Sequence, residues 1–239
     1  MADLNTVRAS QTGARTLNID AGLRAHMNKV YGLMSIGMTV TGLVAWIVGS
    51  NPAFLAAIFG SPLKWVVMFA PLAVVFAFGA MIHKMSASTA QMVFYGFSAL
   101  MGLSISYIFA VYTGVSIAQT FLVTAISFAG LSLYGYTTKR NLSAMGSFLM
   151  MGLIGLIVAS IVNIFLASSA LQFAISVIGV LIFAGLTAYD TQNIKNTYLQ
   201  LAQSDRDFLG KAAILGALQL YLDFLNMFMF LLQFLGNRN

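Results

Sequence analysis

Residues 141–189 read NLSAMGSFLMMGLIGLIVASIVNIFLASSALQFAISVIGVLIFAGLTAY and contain no Asp, Glu, Lys or Arg. About 18 apolar residues are enough for a helix to cross the ~30 Å hydrocarbon core at ~1.5 Å per residue. This stretch is therefore long enough for two or three membrane-spanning helices. The stretch from Met85 to Thr138 is equally free of charge and predicts a similar number.

The composition of the whole chain agrees with these two stretches. Of 239 residues, 59% are hydrophobic and 8% are charged, whereas soluble domains are roughly half apolar and a quarter charged. This excludes a soluble enzyme, because so few charges cannot cover the surface of a domain of this size. The net charge of +6 does not indicate nucleic-acid binding, because the basic residues sit in short loops without a continuous basic face. Cysteine is absent, which excludes disulfides and thiolate metal sites.

The hydrophobic pattern predicts an all-α polytopic membrane protein with seven spans. Backbone groups in lipid have no water partner, so each span should be helical. The domain prediction is a polar cytoplasmic N-terminal segment at 1–27, followed by a seven-helix transmembrane domain at 28–239. The predicted spans are approximately 29–49, 64–83, 91–112, 115–136, 145–167, 171–197 and 211–235.

Loop charge predicts the orientation. With the N-terminus in the cytoplasm and seven spans, ten of the 12 Lys and Arg residues fall on the inner side. Such a bias follows the positive-inside rule and places the C-terminus outside. The inner residues are Arg8, Arg15, Arg24, Lys29, Lys84, Lys139, Arg140, Lys195, Arg206 and Lys211, and the outer residues are Lys64 and Arg238.

Small residues recur every four positions in two of the spans. They are Ser98, Gly102 and Ser106 in the third span, and Gly155 and Ala159 in the fifth. This spacing lets helix backbones approach closely in lipid. It predicts helix packing at both places.

Two carboxylates are the candidate functional residues. The six acidic residues are all Asp, and only Asp190 and Asp223 fall inside predicted spans. An ionisable group in a bilayer usually faces a partner or a water-filled cavity. In an antiparallel hairpin of the sixth and seventh spans, these residues lie about 11 and 18 Å from the helix ends at ~1.5 Å per residue. Both are then at similar depth in the cytoplasmic half, where they can meet.

Such a pair suits proton sensing. Two close carboxylates in a medium of low dielectric do not both ionise readily, so they can share one proton. When deprotonated, their oxygens suit a hard cation such as Ca²⁺, although two ligands make only a weak site. The alternative is a permanently protonated, purely structural hydrogen bond. The polar neighbours expected to complete the hydrogen bonding are Thr187, Gln192, Gln219 and Asn226.

The sequence around the pair resembles the signature of the Bax inhibitor family of transmembrane proteins. The matching segments are GLTAYDTQNIK at 185–195 and LYLDFLNMF at 220–228. The resemblance extends to TKRNLS at 138–143, to VNIF at 162–165 and to the number of spans. It departs at Asn141, where many relatives have Asp, and in a longer loop between the last two spans.

The resemblance implies a seven-helix fold with the last helix at its centre and a pH-sensitive calcium leak through it. It also implies that Asp190 and Asp223 form a hydrogen-bonded pH sensor. A basic residue at the cytoplasmic end of the second helix latches onto the first Asp in such relatives, and His83 or Lys84 is available here. The alternatives are a topogenic charge whose stem lies along the apolar surface for Lys84, and an interfacial structural role for His83.

The functional prediction is accordingly a calcium or cation leak channel gated by the aspartate pair, with lipid, calcium and protons as partners. It is not expected to be an enzyme or to hold a resident cofactor, since calcium would be the transported ion. An intramembrane aspartyl protease is the enzymatic alternative. That class has Gly directly before the second Asp, and Leu222 stands there instead.

A third possibility is a regulatory protein that binds other membrane proteins. The resemblance implies such a role, because some bacterial family members modulate a membrane-bound AAA protease. Here Arg8, Arg15 and Arg24 are candidate docking residues, with a solvated topogenic tail as the alternative. The predicted location is a bacterial inner membrane.

Overall fold

The computed structural model describes residues 2–202 and 205–239, and the side chains of 20–202, 205 and 207–239. In this part of the chain the secondary structure is helical, apart from an isolated bridge between Tyr112 and Arg238. The helices are α1 (Ala2–Gly49), α2 (Pro52–Phe59), α3 (Leu63–Met81), α4 (Ala87–Ile105), α5 (Ile108–Val111), α6 (Gly114–Thr137), α7 (Ser143–Leu166), α8 (Ser169–Leu201) and α9 (Arg206–Leu235), with a 3-10 turn at Ile82–Lys84.

The predicted number of spans is confirmed. Seven helical segments of the described chain are long and apolar enough to cross a membrane. They are Asp20–Gly49, Leu63–Lys84, Ala87–Val111, Gly114–Thr137, Ser143–Leu166, Ser169–Leu201 and Asp207–Leu235. Each contains most or all of the corresponding predicted span. α1 begins inside the predicted polar segment 1–27. The side chains of Arg8 and Arg15 are not among the described side chains. The docking role of these residues therefore stays a prediction.

Four of the helices begin with a polar side chain that caps their first turn. Ser86, Thr113, Ser168 and Asp205 each accept a hydrogen bond from a backbone N–H in the first turn of the helix that follows. These caps satisfy N–H groups that a helix start otherwise leaves without a partner. The loops are short, so sequential spans run antiparallel.

The last helix forms the centre of the bundle. α9 packs against α1, α4, α6 and α8, and its most extensive packing is with α8. It is the most buried of the seven spans. Tyr221, Leu220 and Leu232 of α9 are fully buried. α3 packs mainly on α4, and α7 packs on α8, so both lie at the periphery of the bundle.

The small residues of the third span pack as the sequence predicts. A side chain on Gly102 would meet the backbone of Thr41 in α1, and Gly49 of α1 lies equally close to the Ser106 carbonyl. Ser98 and Ser106 are buried in this interface. The fifth span differs, because a side chain on Gly155 would meet no atom within 4 Å. Gly155 is therefore exposed on α7, whereas Ala159, one turn later, is half-buried and packs against the core as predicted.

Candidate functional site: the paired aspartates

Two close glycine contacts fix the register between α8 and α9. Gly179 of α8 lies against the ring of Phe230, and Gly216 of α9 lies against the side chain of Ile194. These contacts are placed symmetrically about the turn that precedes α9. The predicted antiparallel hairpin is therefore present, and it sets Asp190 of α8 beside Asp223 of α9.

The two carboxyl groups are neighbours across the interface of α8 and α9. Asp223 is 4% exposed, and no N–H or O–H donor in the described part of the chain reaches its buried Oδ2 atom. Ionised carboxylates accept hydrogen bonds but have no hydrogen to donate. A hydrogen bond between the two groups would therefore require a proton on one of them.

Basic side chains do not neutralise the pair in the described part of the chain. The ion pair found there joins Lys211 to Asp207, with Nζ 2.8 Å from Oδ2. Lys195 lies on the same helix as Asp190, but its Nζ donates to the Tyr136 carbonyl at 2.6 Å. No basic side chain of the described residues therefore forms an ion pair with Asp190 or Asp223.

The structure does not bring the predicted latch residues to the pair. His83 and Lys84 lie in the 3-10 turn that follows α3, and both are exposed. Neither forms a described hydrogen bond or ion pair with Asp190. The physical reason is the position of α3, which packs on α4 and not to a comparable extent on α8.

Three of the four predicted supporting residues satisfy other groups. The Thr187 hydroxyl donates to the Phe183 carbonyl at 2.8 Å, and the Asn226 amide donates to the Leu222 carbonyl at 2.8 Å. Gln192 accepts from the Leu142 N–H and donates to the Arg140 carbonyl, both at 2.8 Å. Gln192 thereby ties the loop between α6 and α7 to α8.

Gln219, the fourth predicted residue, is exposed on α9. It belongs to a stripe at helical spacing that the neighbouring helices cover incompletely: Leu215, Gln219, Leu222 and Asn226. On a helix with 3.6 residues per turn, this stripe runs directly beside Asp223. The amides of Gln219 and Asn226 therefore lie beside the pair on a face of α9 that the neighbouring helices leave partly exposed.

The predicted calcium site has few ligands. Among the described residues, no cluster of three or more His, Cys, Asp or Glu side chains is found. Ca²⁺ takes 6–8 oxygen ligands in a stable site. Two carboxylates are few ligands for Ca²⁺, and the weak calcium site at Asp190 and Asp223 stays a prediction.

A hydroxyl network that the sequence analysis missed surrounds the centre of α9. The Tyr221 hydroxyl lies 2.6 Å from the Thr41 hydroxyl, which also reaches the Ser98 carbonyl at 2.8 Å. The Tyr221 ring packs edge-on against Phe94 and Phe97. This network joins α1, α4 and α9 about half a helical turn from Asp223.

A second hydroxyl chain leads from α1 to the helix that carries Asp190. Tyr31 donates to Ser132 at 3.1 Å, and Ser132 lies 2.9 Å from the Thr191 hydroxyl. Thr191 in turn donates to the Thr187 carbonyl. Thr187 and Thr191 are four residues apart and so lie on one face of α8. This spacing is the sequence pattern from which the second hydroxyl chain could have been predicted.

An amide cluster lies at the outer ends of α7, α8 and α9. Asn163 donates to Gln172 at 3.1 Å, and Gln172 donates to Gln233 at 2.7 Å. Ser176 also donates to Gln233, at 3.2 Å. Gln233 lies seven residues beyond Asn226, so amides continue along one face of α9 from Gln219 to this cluster.

Comparisons with known proteins agree with this architecture. A family model described as inhibitor of apoptosis-promoting Bax1 matches residues 23–239. The inner membrane protein YbhL of Escherichia coli K12 is 49% identical over 219 residues, covering 91% of this chain and 94% of that protein. The uncharacterized protein RP147 of Rickettsia prowazekii is 44% identical over 227 residues, covering 95% of both chains.

A third relative, an uncharacterized protein of Borreliella burgdorferi, is 46% identical over 211 residues and covers 88% of this chain. The name of the Escherichia coli relative, an inner membrane protein, agrees with the predicted location in a bacterial inner membrane. The match spans all seven membrane helices and both aspartates. The chain therefore belongs to the Bax inhibitor family.

Proposed function

We propose that this protein is a pH-sensitive cation leak channel, with calcium as the transported ion and the pair Asp190–Asp223 as its proton sensor. The observation that carries the proposal is the contact between two carboxyl groups at the packed interface of α8 and α9. Ionisable groups at membrane depth are costly and mark ion and proton pathways. No ion pair in the described part of the chain offsets that cost.

The position of α3 supports a specific gating step. With a proton shared by the pair, Asp190 exerts little pull on the basic turn at His83 and Lys84, and α3 rests on α4. Loss of that proton leaves two adjacent negative charges. The attraction of Asp190 for the basic turn then draws α3 toward α8, across the incompletely covered stripe of α9. In this mechanism protonation opens the path and deprotonation closes it.

The stripe on α9 supports the route. Gln219 and Asn226 flank Asp223 at the face of α9 that its neighbours leave partly uncovered. Amide oxygens are ligands that Ca²⁺ accepts in flexible geometry. A hydrated cation passing along this face meets an amide, the carboxylates and a second amide in turn.

The test is calcium flux into proteoliposomes that contain an internal calcium indicator, measured from mildly alkaline to mildly acidic buffer. The native protein should leak faster as the pH falls, by at most about ten-fold per pH unit for a one-proton switch. Asp190→Asn and Asp223→Asn mimic the protonated group, so their leak should stay at the acid level at every pH.

Asp205→Asn is the matched control. Asp205 caps α9 at the cytoplasmic end, and Asn caps a helix about as well as Asp. This variant makes the same chemical change outside the pair and should keep the native pH response. A native pH response in both pair variants, with an unchanged leak, would show that the carboxyl contact is only structural.

A further inference from the structure

A lateral groove separates α1 from α6. It has a volume of about 1140 Å³, larger than the ~300–1,000 Å³ of sites for drug-sized ligands. Both helices pack on α9, whose Phe224 forms part of the groove floor. Leu43 and Leu133 line the groove and are 53% and 63% exposed, so the groove is open toward the surrounding lipid.

The two ends of the groove differ in chemistry. Arg24, Asn28 and Tyr136 line the end at which the inner loops lie. Gly42 and Phe121 line the opposite part. Arg24 is the charged residue of the lining and is itself exposed. The groove therefore has one cation at its cytoplasmic end and largely apolar walls beyond, among which Ser35, Thr39 and Ser132 contribute hydroxyl groups.

The groove is long enough to hold an acyl chain of an inner-leaflet lipid. From Arg24 to Leu43 the α1 wall rises about 28 Å at ~1.5 Å per residue. One leaflet contributes about half of the ~30 Å hydrocarbon core. An acyl chain that enters from the cytoplasmic side can thus lie along the groove over its whole length while its headgroup remains at Arg24.

We propose that the groove between α1 and α6 binds a phospholipid with an anionic headgroup, its acyl chains along the apolar walls and its phosphate beside Arg24. Charge complementarity favours this occupant, because the cytoplasmic leaflet carries the anionic lipids and Arg pairs well with phosphate. The cation at one end of this largely apolar groove fits a lipid headgroup better than the apolar face of a partner helix or of a second copy of the chain.

Gly42 is a position at which a larger side chain can fill the groove without contacting other parts of the protein. A side chain on Gly42 would meet no atom within 4 Å, so Gly42→Leu occupies groove space without displacing protein. Gly155→Leu is the matched control, because Gly155 also meets nothing within 4 Å but lies on α7, away from the groove. Ala129→Leu fills the same groove from α6 and serves as a second variant should Gly42→Leu fold poorly.

The experiment is native mass spectrometry of purified protein incubated with dioleoylphosphatidylglycerol or dioleoylphosphatidylcholine. The native protein should retain the anionic lipid about five-fold better, the preference that one basic residue near a lipid surface confers. Arg24→Gln should reduce that preference to near unity. Gly42→Leu and Ala129→Leu should lose most of the bound lipid, and Gly155→Leu should keep it.

Equal lipid retention by the groove-filling variants and the Gly155→Leu control would overturn the proposal. So would an unchanged preference for the anionic lipid in Arg24→Gln. A species whose added mass is that of a peptide or a second chain, lost on Gly42→Leu, would also contradict it, because the groove would then hold a protein partner. The readout is lipid mass, so the result is independent of ion flux.

Discussion

At the scale of single residues, Asp190 and Asp223 occupy different surroundings although they share a contact. Asp223 is buried on the central helix, whereas Asp190 is half-buried on α8. Asp190 is therefore the more accessible of the two carboxyl groups. The sequence alone predicts the pairing, because these are the two acidic residues within the predicted spans. It does not predict which member is enclosed.

Outside the aspartate pair, Tyr221 provides a test of how much a hydrogen bond between helices contributes to stability. Tyr221→Phe removes the hydroxyl that lies 2.6 Å from Thr41 and keeps the ring packing on Phe94 and Phe97. Hydrogen bonds between membrane helices contribute on average about 0.6 and at most about 1.7 kcal/mol. We expect destabilisation within this range, measured by thermal unfolding in detergent.

Tyr134→Phe provides the comparison for Tyr221→Phe. Tyr134 is 47% exposed on α6, and the same loss of a hydroxyl there should leave unfolding nearly unchanged. If both variants unfold alike, the Tyr221–Thr41 contact contributes nothing to the association of α1 with α9.

At the scale of elements, contacts between glycine and backbone decide which helices touch. A Cβ on Gly135 of α6 would overlap the Ala188 carbonyl oxygen of α8. Polypeptide backbone cannot move aside as a flexible side chain does. The gap between α6 and α8 at Gly135 is therefore too small for even one additional methyl group.

Gly135→Ala should push α6 away from α8 and destabilise the bundle. Overpacking of this kind costs about 1–3 kcal/mol, and the hydroxyl contact between Ser132 and Thr191 should lengthen with it. The matched change is Gly130→Ala on the same helix, where the new methyl group meets no atom within 4 Å. Gly130→Ala should be neutral or slightly stabilising, because Ala favours helix over Gly by roughly 1 kcal/mol.

Thermal unfolding of the two glycine variants in one detergent checks this prediction. An equal unfolding temperature for Gly135→Ala and Gly130→Ala would mean that α6 and α8 do not approach as closely as the structure has them. The sequence marks neither glycine as special, since both stand in similar apolar surroundings of α6.

At the scale of the whole molecule, polar contacts gather the inner loops at one end. The Ala87 N–H, at the start of α4, donates to Asp207 at the start of α9, and the His26 and Tyr198 rings pack 4.8 Å apart across α1 and α8. At the other end, the Thr113 N–H donates to the Asn237 carbonyl at 3.1 Å. The basic loops therefore share one side of the bundle, and the C-terminus lies on the other.

The orientation is testable because the chain contains no cysteine. In intact cells of a bacterial host, a membrane-impermeant thiol reagent should label Arg238→Cys but not Lys84→Cys. Both residues are exposed, so accessibility to the reagent depends only on the side of the membrane. Labelling of Lys84→Cys before lysis would contradict an inner location of the loop between α3 and α4.

The sequence by itself determined the helical class, the seven spans and the candidate pair. Each of these depends on local quantities: the hydropathy of about 20 residues, the sign of loop charges, and the rarity of acids in apolar segments. The antiparallel hairpin followed as well, because Asp190 and Asp223 lie at similar distances from the polar turn between the last two spans.

Only the tertiary structure decided where the remaining polar groups point. It placed Gln219 on an exposed face, assigned Gln192 to a loop, kept His83 and Lys84 away from Asp190, and opened a groove between α1 and α6. These outcomes depend on the rotation and spacing of helices that are far apart in the chain. Helix packing sets both through contacts such as Gly102 on Thr41 and Gly135 on Ala188, and hydropathy does not encode them.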